Sequence, residues 1–159
     1  MFLSTIIIMK KRIFNISALT LLFILCCIGS TNCIKAANRT DTTFSFTLNP
    51  TNTKKDYDHS SWRVKDNTSS IYMKVNSVKY SKNVAKAWAQ GKKYSDSSSY
   101  YDCSGGYFVN VSKLGVHYLP NTVKQSHYGY ARIGVQSNPG AKNTLNGVWS
   151  PDSGKTIQP

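Results

Sequence analysis

The sequence predicts an all-β protein: a small antiparallel β-sandwich or partly closed barrel that follows a cleaved signal peptide. Three observations lead there. Apolar and polar residues alternate at period two in several short segments. Beyond residue 37 the chain is rich in Ser, Thr, Asn, Tyr and Val, which favour strands and turns, and it contains no Glu. Turn signals separate these segments at short intervals, with no long helical period between them.

Residues 1–37 supply an export address. Lys10, Lys11 and Arg12 form a basic cluster, residues 16–28 an apolar stretch, and Ala36 and Ala37 the small residues of a cleavage point, which is the order of a secretory signal peptide. As a helix the apolar stretch would rise only ~20 Å, short of the ~30 Å hydrocarbon core of a bilayer. The address is complete from Met9 onward, so a start at Met1 or at Met9 gives the same reading. Lipid modification wants a small residue before the cysteine, whereas Leu25, Cys26 and Asn32 precede Cys26, Cys27 and Cys33. The expected location is secreted, extracellular or loosely held at the envelope by charge.

The first strand is expected where Phe44, Phe46 and Leu48 share a face opposite Ser45 and Thr47. Ile71, Met73 and Val75 share the next face, but the apolar set then moves to Val78 and Tyr80. This change of parity predicts a bulge or turn near Asn76-Ser77 and two strand pieces. Ala85, Ala87 and Ala89 form a small flat face suited to close approach of another sheet, while Val84, Lys86 and Trp88 point the other way; a helix is the alternative here. Residues 91–106, rich in Ser, Tyr and Asp, read as a loop. Tyr107, Val109 and Val111 alternate with Phe108, Asn110 and Ser112, and Ala131, Ile133 and Val135 alternate with Tyr130, Arg132 and Gln136, giving two further strands. Asn138-Pro139-Gly140 is a turn, and Leu145, Val148 and Trp149 should dock on a sheet as a last strand or strap.

Without residues 1–37 the chain has 122 residues, enough for a single domain over 38–159. Cys103 is the one cysteine left, so no intramolecular disulfide can form and packing must suffice. A lone cysteine of this kind is ordinarily a small buried residue.

The candidate sites divide into two classes. One is catalytic: Cys103 as a thiol nucleophile with His117 or His127 as its base and Asp102 or Asn121 orienting the imidazole, which would make a small secreted Cys-dependent hydrolase. The Ser-Gly-Gly after Cys103 reads equally well as a turn. Asp56, Asp58 and His59 offer oxygen and nitrogen ligands to a cation, but Lys54 and Lys55 oppose this, and no metal or other cofactor is expected. No P-loop, dinucleotide fingerprint, HExxH motif or paired glutamates occur, so the chain is read as a non-enzyme.

The other class is a binding surface. The 122-residue part carries a formal net charge of +9 and 16 aromatic side chains, more than alternating strands need to fill a core. Tyr94, Tyr100, Tyr101, Tyr128 and Tyr130 are therefore expected at the surface, where rings and a cationic field together select and steer anionic partners. An exported protein seldom meets nucleic acid as its main ligand. An anionic cell-wall polymer or a membrane surface is the expected partner, and the sequence leaves the oligomeric state open.

Over residues 62–153 the chain resembles uncharacterised small secreted proteins of Gram-positive bacteria. The likeness rests on the signal peptide, on Ser69-Ser70-Ile71-Tyr72-Met73-Lys74-Val75 and on the closing Gly147-Val148-Trp149-Ser150-Pro151-Asp152-Ser153. The chain is also similar to lactococcin-type bacteriocin precursors, which are exported, unbridged, β-rich and aromatic. The resemblance implies a secreted binding or antagonistic protein and brings no functional residue with it.

Overall fold

The computed structural model describes residues 37–49 and 57–159. The expected signal peptide, apart from Ala37, lies outside the described residues, as do Met9, the three leading cysteines and Asp56. Among the described residues ten strands run in order: Thr42–Leu48 (β1), Tyr57–His59 (β2), Arg63–Val64 (β3), Ile71–Val78 (β4), Ala85–Lys92 (β5), Tyr101–Asp102 (β6), Val109–Asn110 (β7), Gly115–Leu119 (β8), Tyr130–Ser137 (β9) and Asn143–Ser150 (β10). No helix occurs among the described residues.

The strands form two antiparallel sheets. One has the order β1-β10-β4-β8; the other has the order β2-β9-β5-β6, with β3 also on β9 and β7 also on β5. The sheets do not close into a barrel, so the expected all-β fold takes the form of a sandwich.

A single core fills the space between the sheets, and its volume is divided unequally. The four-stranded sheet contributes the large side chains Phe44, Phe46, Leu48, Met73, Leu145 and Trp149. The six-stranded sheet answers with Ala85, Ala87, Ala89 and Ala131 beside Ile133 and Val135. Large rows against small rows let the layers interdigitate at interior density. Each buried aliphatic or aromatic of this size stabilises by about 1.5–3 kcal/mol, which lets the domain stand without a disulfide.

Local details confirm some expectations and correct others. Asn146 pairs with Ser77 and Gly147 with Val75, so Asn76 is the bulged residue. The ladder to β10 resumes beyond the bulge, however, so residues 71–78 form one strand rather than two pieces. Val78 packs half-buried on the core, and Tyr80 lies outside the strand, exposed. Gly147 is required: a β-carbon there would fall 1.9 Å from the Lys74 carbonyl oxygen and 2.7 Å from the Phe44 ring.

The segment at residues 91–106 is not one loop, since Gly91 and Lys92 complete β5 and Tyr101-Asp102 pair back onto it. The strand expected from Tyr107 shrinks to Val109-Asn110; Tyr107 and Phe108 stand exposed ahead of it. The Asn138-Pro139-Gly140 turn is closed by the Ala141 N–H donating to the Asn138 carbonyl at 3.0 Å, and it carries the chain from one sheet to the other. Leu145 and Trp149 do dock, whereas Val148, one residue out of phase with them, is half-buried on the other face of the strand, and the segment is more than a strap. β10 is an inner strand, paired with β1 on one side and β4 on the other.

Candidate binding face

Period-two alternation along β5 gives it two different faces. Ala85, Ala87, Ala89 and Gly91 point into the core; Lys86, Trp88, Gln90 and Lys92 point out. On β9 the outward residues Gln136, Gly134, Arg132 and Tyr130 stand directly opposite those four in register. The outer face of the six-stranded sheet is thus a double row of cationic, aromatic and amide side chains.

Both flanks of this ribbon are interrupted, and both interruptions deliver rings to the same face. On one flank His59 pairs with Gly134 and Arg63 with Ala131, so the edge strand spends one extra residue. Ser60 keeps the ladder, donating its N–H to the Ile133 carbonyl and accepting the Ile133 N–H on Oγ, both at 3.0 Å. The slack is taken up by Ser61 and Trp62, and the bulge turns Trp62 over β9. On the other flank, Cys103 still donates its N–H to the Ala89 carbonyl, and residues 104–108 leave the ladder between β6 and β7. Gly105 and Gly106 make this turn at φ of 62° and 84°, a region that a side chain disfavours.

The centre of the face is Arg132. Its guanidinium carbon lies 4.4 Å from the Trp62 ring centroid and 4.3 Å from that of Tyr100. Nε donates to Gln90 Oε1 at 2.7 Å and Nη2 to the Tyr57 hydroxyl at 3.3 Å; the Tyr57 hydroxyl in turn donates to Gln90 Oε1 at 2.7 Å. Arg132 is only 5% exposed, yet no carboxylate pairs with it among the described residues, and Nη1 has no protein partner there. A cation withdrawn from water without a counter-charge is unusual, because desolvation opposes it unless something compensates. Here the ring faces compensate in part. Lys92 is in the same position: it is 6% exposed, lies 5.0 Å from the Trp62 ring and donates Nζ to the Ser95 carbonyl.

Further along β5 the Trp88 ring lies across Gly134 and 5.7 Å from the Tyr57 ring. Beside it opens a cavity of about 270 Å³ lined by Lys86, Trp88, Asp102, Ser104, Tyr107, Phe108 and Gln136. The Lys86 ammonium sits 3.9 Å above the Phe108 ring at its rim. Asp102 Oδ1 accepts both the N–H and the hydroxyl of Ser104, at 2.8 and 2.6 Å.

The five tyrosines singled out from sequence fall into two groups. Tyr100 and Tyr130 belong to the Arg132 and Lys92 cluster. Tyr94, Tyr101 and Tyr128 line a separate depression with Lys93, in which the Tyr101 and Tyr128 rings stack at 5.4 Å and 8°. Tyr94, Tyr100 and Tyr101 are exposed as expected, but Tyr128 and Tyr130 are half-buried, Tyr128 against the core and Tyr130 within β9. Sequence reasoning missed Trp62, Trp88, Gln90, Lys92 and Arg132 as site residues. The signal was the outward set on β5, which repeats every second residue opposite the alanine row.

The catalytic constellation is placed as follows. Cys103 is 2% exposed, with Sγ only 2.7 Å from where a β-carbon on Gly91 would stand. Burial, reinforced by the negative charge of Asp102, pushes its thiol up to about 11. His117 lies on β8 in the other sheet, its Nε2 3.2 Å from the Lys113 carbonyl oxygen. His127 is exposed at a positive φ of 59°. Asn121 is buried and donates Nδ2 to the Ser69 carbonyl at 3.0 Å. Of the proposed cation ligands, Asp58 accepts the Thr47 N–H at 3.0 Å and the His59 N–H at 2.7 Å, and His59 Nδ1 lies 3.2 Å from the Ser60 carbonyl oxygen. Among the described residues no helix is long and apolar enough to cross a membrane.

One family model, described as a protein of unknown function (DUF2712), matches residues 32–153. No curated protein and no solved structure matches the chain.

Proposed function

The chain belongs to the DUF2712 family, and for it we propose a non-enzymatic, secreted binding protein that holds an anionic component of the cell envelope on the outer face of its six-stranded sheet. The observation that carries this reading is Arg132, a buried guanidinium packed against the Trp62 and Tyr100 rings with no carboxylate partner among the described residues. A ligand anion would supply the missing counter-charge. The surrounding excess of Lys and Arg over Asp would steer it there. A bacteriocin-like antagonist is one way of using such binding.

The test is adsorption to an anionic wall polymer and to anionic lipid vesicles at two salt concentrations. The Debye length falls from about 10 Å at 0.1 M to about 3 Å at 1 M, so binding should be strong at the first and weak at the second. No adsorption at low salt, or adsorption indifferent to salt, rejects the reading.

A further inference from the structure

We propose that this face reads a linear acidic glycan: a neutral sugar ring sits in the cavity beside Trp88 and Phe108, and the carboxylate or phosphate of a neighbouring unit is taken by Arg132. This rests on the outer sheet being the binding face and adds what the face recognises.

The two subsites have opposite chemistry. Arg132 is a fork held in place on three sides, with the Trp62 and Tyr100 rings packed against its guanidinium and its Nε end tied to Gln90. The Nη1 edge is left over among the described residues, and it carries donors that match an oxyanion. The cavity carries a carboxylate of its own, Asp102, with the Gln136 amide beside Trp88. Asp102 and the Lys86 ammonium leave the lining without net charge, and the carboxylate accepts from hydroxyls, so the cavity suits an uncharged ring rich in O–H groups. At about 270 Å³ it lies below the ~300–1,000 Å³ typical of sites that enclose a whole drug-sized ligand. It therefore fits one unit of a longer chain.

The spacing links the subsites. Asp102 and Arg132 both stand opposite Gln90, one on each neighbouring strand, so their backbones are separated by two strand spacings, ~10 Å. Successive units of an extended polymer span that distance. A polyphosphate or a lipid headgroup brings the charge but no ring for the cavity, and a neutral glycan brings the ring but leaves Arg132 without its counter-charge.

The experiment compares hyaluronate, in which carboxylate-bearing and uncharged rings alternate, with its fully methyl-esterified form, which keeps the rings and removes the charges. Polyphosphate, oligo-dT and phosphatidylglycerol vesicles run alongside. The wild-type protein should bind the acid about tenfold or more tightly than the ester, the worth of one charge-assisted hydrogen-bonded pair. Arg132→Met should erase this difference, so that within that variant acid and ester bind alike. Trp88→Ala should weaken both forms by about three- to tenfold. Arg132→Lys keeps the cation without the fork and should retain part of the difference, which decides the point if Arg132→Met does not fold. Equal binding of acid and ester overturns the proposal, as does tighter binding of polyphosphate, oligo-dT or vesicles than of hyaluronate. Acid binding that is indifferent to Arg132→Met and Trp88→Ala overturns this site while leaving the anionic-polymer reading intact. Failure of every probe to bind at low salt removes both.

Discussion

Trp88 lies flat across Gly134: a β-carbon on the glycine would stand 3.0 and 3.1 Å from two atoms of the indole and 3.2 Å from Gln90 Cδ. The glycine is what lets the ring rest on β9, and the ring forms one wall of the cavity. Gly134→Ala should therefore push Trp88 and Gln90 outward by a few tenths of an ångström. Replacing a strand glycine recovers about 0.5–1 kcal/mol of chain entropy, so the unfolding midpoint should hold. Tryptophan emission should shift and polymer binding should weaken. Unchanged affinity would remove Trp88 from the binding face.

Trp149 is fully buried on an inner strand, and its indole Nε1 makes no hydrogen bond among the described residues. Its contribution is therefore one of volume and ring contact, with the Arg63 guanidinium 5.5 Å from the ring centroid. Trp149→Ala should cost about 3–5 kcal/mol and lower the thermal midpoint by more than about 10 °C. A small change would mean that β10 is not the structural centre of its sheet.

Lys65 and Asp152 form an ion pair at 3.0 Å with both side chains inaccessible. Nζ also donates to the Ser69 and Pro151 carbonyls, and the carboxylate accepts N–H groups from Asn38, Asp66 and Asn67. Asp152→Ala strands a buried ammonium and should cost about 3–5 kcal/mol; Lys65→Met, which leaves those N–H donors on the carboxylate, should cost less. Burial lowers the Lys65 pKa below its ordinary 10.5, against the raising effect of Asp152. The unfolded chain then holds the proton more tightly than the folded one, so the burden of the buried charge lifts as pH climbs through the lowered value towards 10.5. Denaturant melts of wild type against Lys65→Met should accordingly move in favour of wild type across that window. A difference independent of pH would contradict it.

Cys103 has the opposite linkage. With its thiol raised from 9.0 to about 11, chiefly by burial, the folded state keeps a proton that the unfolded state releases. Its stabilising contribution is whole below pH 9 and is lost between pH 9 and about 11. Alkylation of the native protein at pH 8 should be slow and become fast on unfolding. Cys103→Ser should leave polymer binding intact; loss of function in that variant would revive the thiol-hydrolase alternative.

The Asn38 N–H donates to Asp152 Oδ2 at 2.8 Å, while the Asn38 side chain bonds Val64 and Arg63. Mature protein beginning at Asn38 would place an α-ammonium on that carboxylate, turning a hydrogen bond into an ion pair. N-terminal sequencing of secreted material should find Ala37 or Asn38 first. Recombinant chains starting at Asn38 should melt above those that carry residues 1–37. A lipid-linked cysteine at the start, found only in membranes, would reject this cleavage point.

Local chemistry was enough to specify several features of this protein. Alternation at Phe44-Phe46-Leu48, at Ala85-Ala87-Ala89 and at Ala131-Ile133-Val135 identified strands and their inward faces, because a side chain's face follows from its parity. The parity change at Asn76 located a bulge for the same reason. Parity does not say which strand lies beside which. Trp62, Tyr100 and Arg132 meet only because β5 and β9 pair and a bulge in the edge strand redirects the tryptophan. The short pieces β2, β3 and β6 were illegible because two or three residues carry no period; neighbouring strands impose their form. Burial of Arg132 without a counter-charge is likewise a property of the assembled face, since sequence counts charges and only the packed sheet decides which of them lose their water.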